Sequence, residues 1–205
     1  EGNPEGQVSS PYLIEQYQVA SAHFSAFALE DPLFFTCDVD GDLSDSQWLQ
    51  CGEESLLKLA QRAYRRPLSS EEQNRLRSLY TSLAEEKDLE DAIRLSVQAV
   101  LMTPQFLYRL DGVAPSAETE PYLLASRLSY FLWNSMPDAE LFEAAANNEL
   151  QTKSQVEKQA KRMLEDSRAR QAVVQFHRQW LDLDKVYLSN ADMNTYIDTY
   201  LPEAQ

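Results

Sequence analysis

The sequence predicts an all-α protein, a multi-helix bundle of about eight or nine helices in two packed halves. Three observations predict it. Apolar residues recur at three- and four-residue spacing along most of the chain, and no stretch alternates with the period of two that marks a half-buried strand. Only 5 of the 205 residues are glycine, few for a turn-rich β architecture. Capping signals stand directly before several of the apolar stripes.

Residues 1–10 are polar, with two glycines and a proline, and read as a loose lead-in. Pro11 to Leu29 carries Leu13, Tyr17, Ala20, Phe24 and Phe27, an amphipathic helix with proline in its first turn. Glu30 to Gln47 is irregular, and a second helix starts near Trp48 or Glu53, with Leu56, Leu57, Leu59, Ala60, Ala63 and Tyr64 on its buried face. Pro67 ends it, because the residue before proline avoids the α region. Ser69 with Glu72 forms a capping box for the next helix, through Leu76, Leu79, Tyr80 and Leu83. A charged turn at Glu85–Asp88 leads to the stripe Ile93, Val97, Val100 and Leu101. Thr103 and Pro104 are a cap and a first-turn proline for a short helix through Phe106, Leu107 and Leu110.

Gly112, Pro115 and Ser116 mark a linker. Beyond it lie Leu123, Leu124, Leu128, Phe131 and Leu132, then a break at Ser135–Asp138. A shorter helix is expected over Leu141 to Leu150. Thr152 with Gln155 opens another, through Val156, Ala160, Met163 and Leu164. The last runs from Arg168 to Leu183. The expected organisation is therefore residues 1–30 as the end of a preceding helical domain, 31–111 as a helical domain, 112–119 as a linker, and 120–205 as a second helical domain cut at its C-terminal end.

The chain holds 18 Lys and Arg against 33 Asp and Glu, a net charge of −15. Nucleic acid and anionic lipid need basic surface, so neither is an expected partner; a cationic partner is compatible. No apolar run approaches the ~18 residues of a membrane span, so membrane insertion is not expected. The start at Glu1, without a basic and then apolar leader, is read as a processed or an excised end.

Two cysteines, Cys37 and Cys51, flank a polar segment. They form one disulfide or stay as two free thiols. A single bridge suits an oxidising compartment, periplasmic or extracellular, and would stabilise the fold by about 3 kcal/mol. Their spacing suits neither a redox pair nor a zinc knuckle, and no CxxCH haem-attachment motif is present.

The densest motif is RAYRRPLSSEEQNRLRSLY, residues 62–80. It resembles the hallmark of planctomycete-type domains of unknown function, found in large exported proteins often fused to c-type cytochrome modules. AIRLSVQAVLMTPQFLYRL, LASRLSYFLWNSMPDAEL and RMLEDSRARQAVVQFHRQWLDLDKV resemble the segments that follow it, and SSPYLIEQYQVASAHFSAFAL the end of the domain before. The resemblance runs from about Ser9 to Val186. It implies an exported setting and other domains of the same polypeptide as partners, a c-type cytochrome among them. It assigns no activity, and any haem would sit in a separate domain.

Several residues are candidates for chemistry. Asp38, Asp40, Asp42 and Asp45, with Gly41, supply oxygens of the kind calcium takes. The EF-hand register fails, because Leu43 stands where glycine and Leu49 where glutamate are required, so a solvated acidic loop is the other reading. Arg65, Arg66, Arg109 and Arg127 sit at helix ends or beside apolar faces, either as inter-helix ties or as an anion site. His23 and His177 each lack a second ligand one turn away, which favours packing over metal or haem ligation. Trp133, Asn134, Asp138, Gln179 and Trp180 belong to aromatic-rich helices. They make either a core or a stacking or docking surface. No catalytic pair, GxSxG elbow, HExxH helix or phosphate loop is present. The expected function is a non-catalytic structural or interaction module, with no cofactor of its own. An oxidoreductase or polysaccharide-degrading component, and a carbohydrate- or calcium-binding module, are the alternatives.

Overall fold

The structure, a computed structural model, describes residues 11–31, 34–38, 43–108 and 118–183. Those residues form nine α-helices and no strand: α1 (Pro11–Glu30), α2 (Asp45–Ala63), α3 (Ser70–Glu86), α4 (Leu89–Leu101), α5 (Pro104–Leu107), α6 (Glu120–Trp133), α7 (Ala139–Ala146), α8 (Lys153–Glu165) and α9 (Ser167–Trp180). The all-α expectation holds. The chain divides into two units, Glu1–Leu123 and Leu124–Gln205.

α4 is the centre of the first unit, packed against α1, α2 and α3. Its stripe explains why: Ala92, Ile93, Ser96, Val97 and Val100 are all buried. They meet Leu56, Ala60, Ala63 and Tyr64 of α2 and Leu76 and Tyr80 of α3. Removing one such side chain, as in Leu56→Ala, costs about 2–5 kcal/mol. Ser96 sits fully buried because its hydroxyl donates to the Ala92 carbonyl one turn back, 2.8 Å away.

α1 departs from its expected face. Phe24 and Phe27 are exposed, and the residues buried against the unit are Ser21 and Ser25. Small side chains let α1 lie close to α4, and each serine hydroxyl donates to a carbonyl in its own helix, that of Gln18 or Ala22. Sequence hydropathy gives serine no credit for such a contact.

The caps set the helix starts. α2 begins at Asp45, ahead of the expected Trp48, because the Gln47 side chain folds back to accept from the Ser44 amide at 2.9 Å. Ser69 and Glu72 make the reciprocal box before α3, and Thr152 and Gln155 the one before α8. Pro104 takes the first turn of α5. Two helices end earlier than the apolar pattern suggests. α7 stops at Ala146, followed by Asn148 at φ 57°, and α9 stops at Trp180, followed by Asp182 at φ 53°. Asn and Asp tolerate this left-handed conformation better than other side chains.

In the second unit, Trp133, Leu141, Ala144, Ala145, Leu150, Met163 and Ala169 are buried. α8 packs on α9. The Trp133 indole donates to the Met163 carbonyl at 2.8 Å, which fastens α6 to the last turn of α8.

Candidate functional site

In the first unit the segment Phe34–Asp38 is tied to α2. Cys37 and Cys51 are disulfide-bonded, with their Cα atoms 5.8 Å apart. The Thr36 amide donates to the Ser55 hydroxyl at 2.9 Å. These ties put the Phe35 ring edge-on to Trp48, with centroids 5.7 Å apart and planes at 87°. Phe34 meets Phe35 in the same way, at 5.0 Å and 86°. A disulfide and a buried serine thus hold a right-angled aromatic corner on the flank of α2.

Beside that corner is a cavity of about 520 Å³, lined by Leu29, Phe35, Trp48, Gly52, Tyr80, Leu89, Glu90 and Ile93. Gly52 is required where it stands. A Cβ there would come within 2.7 Å of Tyr80 Cζ, so the glycine makes room for the phenol. Burial, and then the charge of Glu53, push the Tyr80 hydroxyl above its ordinary pKa, so it stays protonated and neutral. Glu53 is held by Arg77 at 2.7 Å, which also ties α2 to α3. Glu90 lies at the start of α4 and is exposed.

The motif at the end of α2 forms a joint. Tyr64 is the C-cap, and Arg65 follows in the left-handed region at φ 58° with 8% of its surface exposed. Its guanidinium donates to the carbonyls of Ala63, Gln105 and Tyr108 at 3.0, 2.7 and 3.1 Å. It therefore satisfies carbonyls that the short α5 leaves open. Arg66 makes a bidentate pair with Glu72, at 2.8 and 2.9 Å. That pairing, with the Ser69 cap, holds the Glu72 carboxyl below the usual range. Arg109 lies outside the described residues.

A second polar cluster occupies the second unit. Asp138 caps α7 through the Leu141 amide and receives both arms of Arg162, at 2.8 and 3.1 Å. Arg162 also reaches Glu140 at 3.1 Å. Arg168 lies over the Trp133 ring, 3.5 Å from its centroid, and pairs with Asp166 at 2.7 Å and, more loosely, with Asp138 at 3.7 Å. Burial pushes Asp138 up, but the Arg162 guanidinium, the Leu141 amide and the Arg168 charge together hold it below the ordinary value. Asp166 is lowered to about 2, first by its hydrogen bond from Arg168. Trp133 and Asp138 therefore meet in one cluster, in which the three acids Asp138, Glu140 and Asp166 outnumber the two arginines Arg162 and Arg168.

Asn134, at φ 51°, is exposed and ends α6. Arg127 lies on the exposed side of α6. Gln179 and Trp180 are exposed on α9, where Trp180 stacks on Phe176 at 6.1 Å and 22°. With Val173 and Val174 they form an outward apolar face. His177 packs edge-on against both rings, and one ring nitrogen is 2.8 Å from the Val173 carbonyl. His23 is exposed against Phe27 on α1. Asp38 and Asp45 are exposed, and Asp40 and Asp42 lie outside the described residues. Among the described residues no group of three or more His, Cys, Asp or Glu side chains is placed to hold a metal ion, and no helix is long and apolar enough to cross a membrane.

Sequence reasoning missed the cavity, and it missed Arg162, Arg168 and Asp166. Gly52 gave the one available signal for the first: a glycine inside a helix, next to a cysteine, needs a packing reason.

Residues 51–111 match the family PSD5, a protein of unknown function (DUF1595), and residues 119–204 match PSD4, a protein of unknown function (DUF1592). No curated protein and no solved structure matches the chain.

Proposed function

We propose that this chain, which carries adjacent helical domains of the PSD5 and PSD4 families, is a non-catalytic structural and interaction module of an exported multidomain protein. One contrast carries the reading. Arg65, Arg66 and Asp138 are engaged within the fold, Arg65 on helix-end carbonyls, Arg66 on Glu72 and Asp138 on Arg162. The large apolar groups Phe176 and Trp180 face outward, at 61% and 68% exposure. Internal ion pairs hold shape, and an exposed aromatic face of this kind marks an interaction surface.

The disulfide and the lack of a membrane-spanning helix among the described residues fit a periplasmic or extracellular address. The partner we favour is another domain of the same polypeptide, with a c-type cytochrome module as the specific candidate. A net charge of −15 would steer a cationic surface toward this chain and away from nucleic acid. The stacked Phe176–Trp180 pair also supports a second reading, a platform for sugar rings.

The test uses Phe176→Asp and Trp180→Asp, each checked by circular dichroism for an intact fold. Binding to the separately expressed remainder of the polypeptide is measured by calorimetry, with oligosaccharides titrated in parallel. Loss of at least tenfold in partner affinity supports the module reading. Unchanged partner binding refutes it, and loss confined to oligosaccharides transfers the face to the second reading.

A further inference from the structure

We infer that the cavity between the Phe35–Trp48 corner and the start of α4 is a binding site for a small organic cation, an ammonium with apolar substituents. Its volume of about 520 Å³ lies in the ordinary range for small-molecule sites. Three of its eight lining residues, Phe35, Trp48 and Tyr80, are aromatic, and the first two are set at a right angle. Ring faces arranged around a void attract a cation, and most strongly one whose substituents hold few waters. Leu29, Leu89 and Ile93 supply apolar walls for those substituents.

The charge on the lining is negative. Glu90 is the carboxylate of the cavity wall, and it makes no hydrogen bond or ion pair with any described residue. Asp91, the next residue, is held by Arg94 at 2.6 Å, and Glu53, beside the lining Gly52, by Arg77 at 2.7 Å. Glu90 therefore remains available as a counter-ion, where an anionic ligand would be repelled. The Tyr80 hydroxyl is neutral and can donate to a ligand oxygen. The disulfide belongs to the same site, because it fastens Phe35 against Trp48.

The test titrates the full, oxidised chain with choline, with benzyltrimethylammonium and with 3,3-dimethylbutanol, the uncharged carbon counterpart of choline. Calorimetry gives affinities, and the Trp48 indole N–H signal in NMR locates the ligand. Saturable binding of both cations with a shift at Trp48, and at least roughly fivefold weaker binding of the alcohol, is the expected result. Glu90→Gln should weaken benzyltrimethylammonium by about fivefold, and Trp48→Leu by at least as much. Phe35→Leu serves the same purpose should the Trp48 variant unfold. No saturation by either cation up to ~10 mM, equal binding of the alcohol, or wild-type affinity in Glu90→Gln would each overturn the assignment. The interaction module proposed above is read at α9, so either reading can fail without the other.

Discussion

At Gly52 two residue-scale preferences oppose each other. Alanine is the better helix former by about 1 kcal/mol. Its methyl would press on the end of the Tyr80 ring, 2.7 Å from Cζ, and overpacking of that kind costs about 1–3 kcal/mol. Gly52→Ala is therefore expected to lower the urea midpoint; a rise would show that the phenol can move aside freely. Arg65 makes a parallel case. Its left-handed backbone would suit glycine, yet its guanidinium joins α2 to carbonyls forty and more residues away. Arg65→Lys keeps the charge and loses the fork, so a loss of about 2 kcal/mol is expected. A lysine variant within about 0.5 kcal/mol of wild type in urea unfolding would rule out the fork as the reason for arginine. The hallmark string points to Arg65 in the sequence. The carbonyls it serves are set by how α5 folds back, and no local pattern shows that.

Helix ends decide how the elements respond to acid. Asp138 and Asp166 cap α7 and α9, and Glu72 completes the box of α3, all three with carboxyls lowered on folding. A carboxyl lowered in the fold binds its proton more readily when unfolded, so its contribution is complete above the unfolded pKa and disappears as pH falls through the folded one. For Asp166 that window runs from its ordinary value of 3.8 down to about 2. Protonating other acids of this acidic chain relieves repulsion and works the other way, so a variant isolates the effect. Asp138→Asn should cost about 1 kcal/mol or more at pH 7, since asparagine still caps but leaves Arg162 without its partner carboxylate. The gap from wild type, read by urea titration at stepped pH, should narrow below about pH 4; a constant gap would remove Asp138 from the acid response. The boxes at Ser69 with Glu72 and Thr152 with Gln155 were legible in the sequence, because each lies within four residues, whereas the Asp138 and Asp166 caps were not read there. The face of α1 was not, since Ser21 and Ser25 become interior only through the approach to α4. The ends of α7 and α9 were also missed, because Asn148 and Asp182 break helices whose apolar pattern continues past them.

For the molecule as a whole, composition and spacing revealed the class but not the sites. Few glycines and repeated three- and four-residue spacing identify the helical class, and the cysteine pair identifies the covalent tie. The cavity was hidden because its wall draws on residues from Leu29 to Ile93, spread over four helices and a loop. The Trp133 cluster was half visible: Trp133 and Asp138 are five residues apart, but Arg162 and Arg168 arrive from α8 and α9. The tie and the cavity meet in one prediction. Reduction frees Cys37, and with it the segment that carries Phe35. Closure of a loop with a sequence separation of 14 constrains the unfolded chain, so its loss should lower stability by about 3 kcal/mol. Both cysteines lie in the first unit, so the loss should be local. Hydrogen exchange on oxidised and reduced protein separates the cases. Faster exchange is expected at Phe34–Asp38 and in the first turns of α2, with α8 unchanged and the Trp48 response to benzyltrimethylammonium weakened. Equal exchange in the two redox states would mean that Thr36 and Ser55 suffice to hold the corner, and that the sulfur bridge does not shape the site.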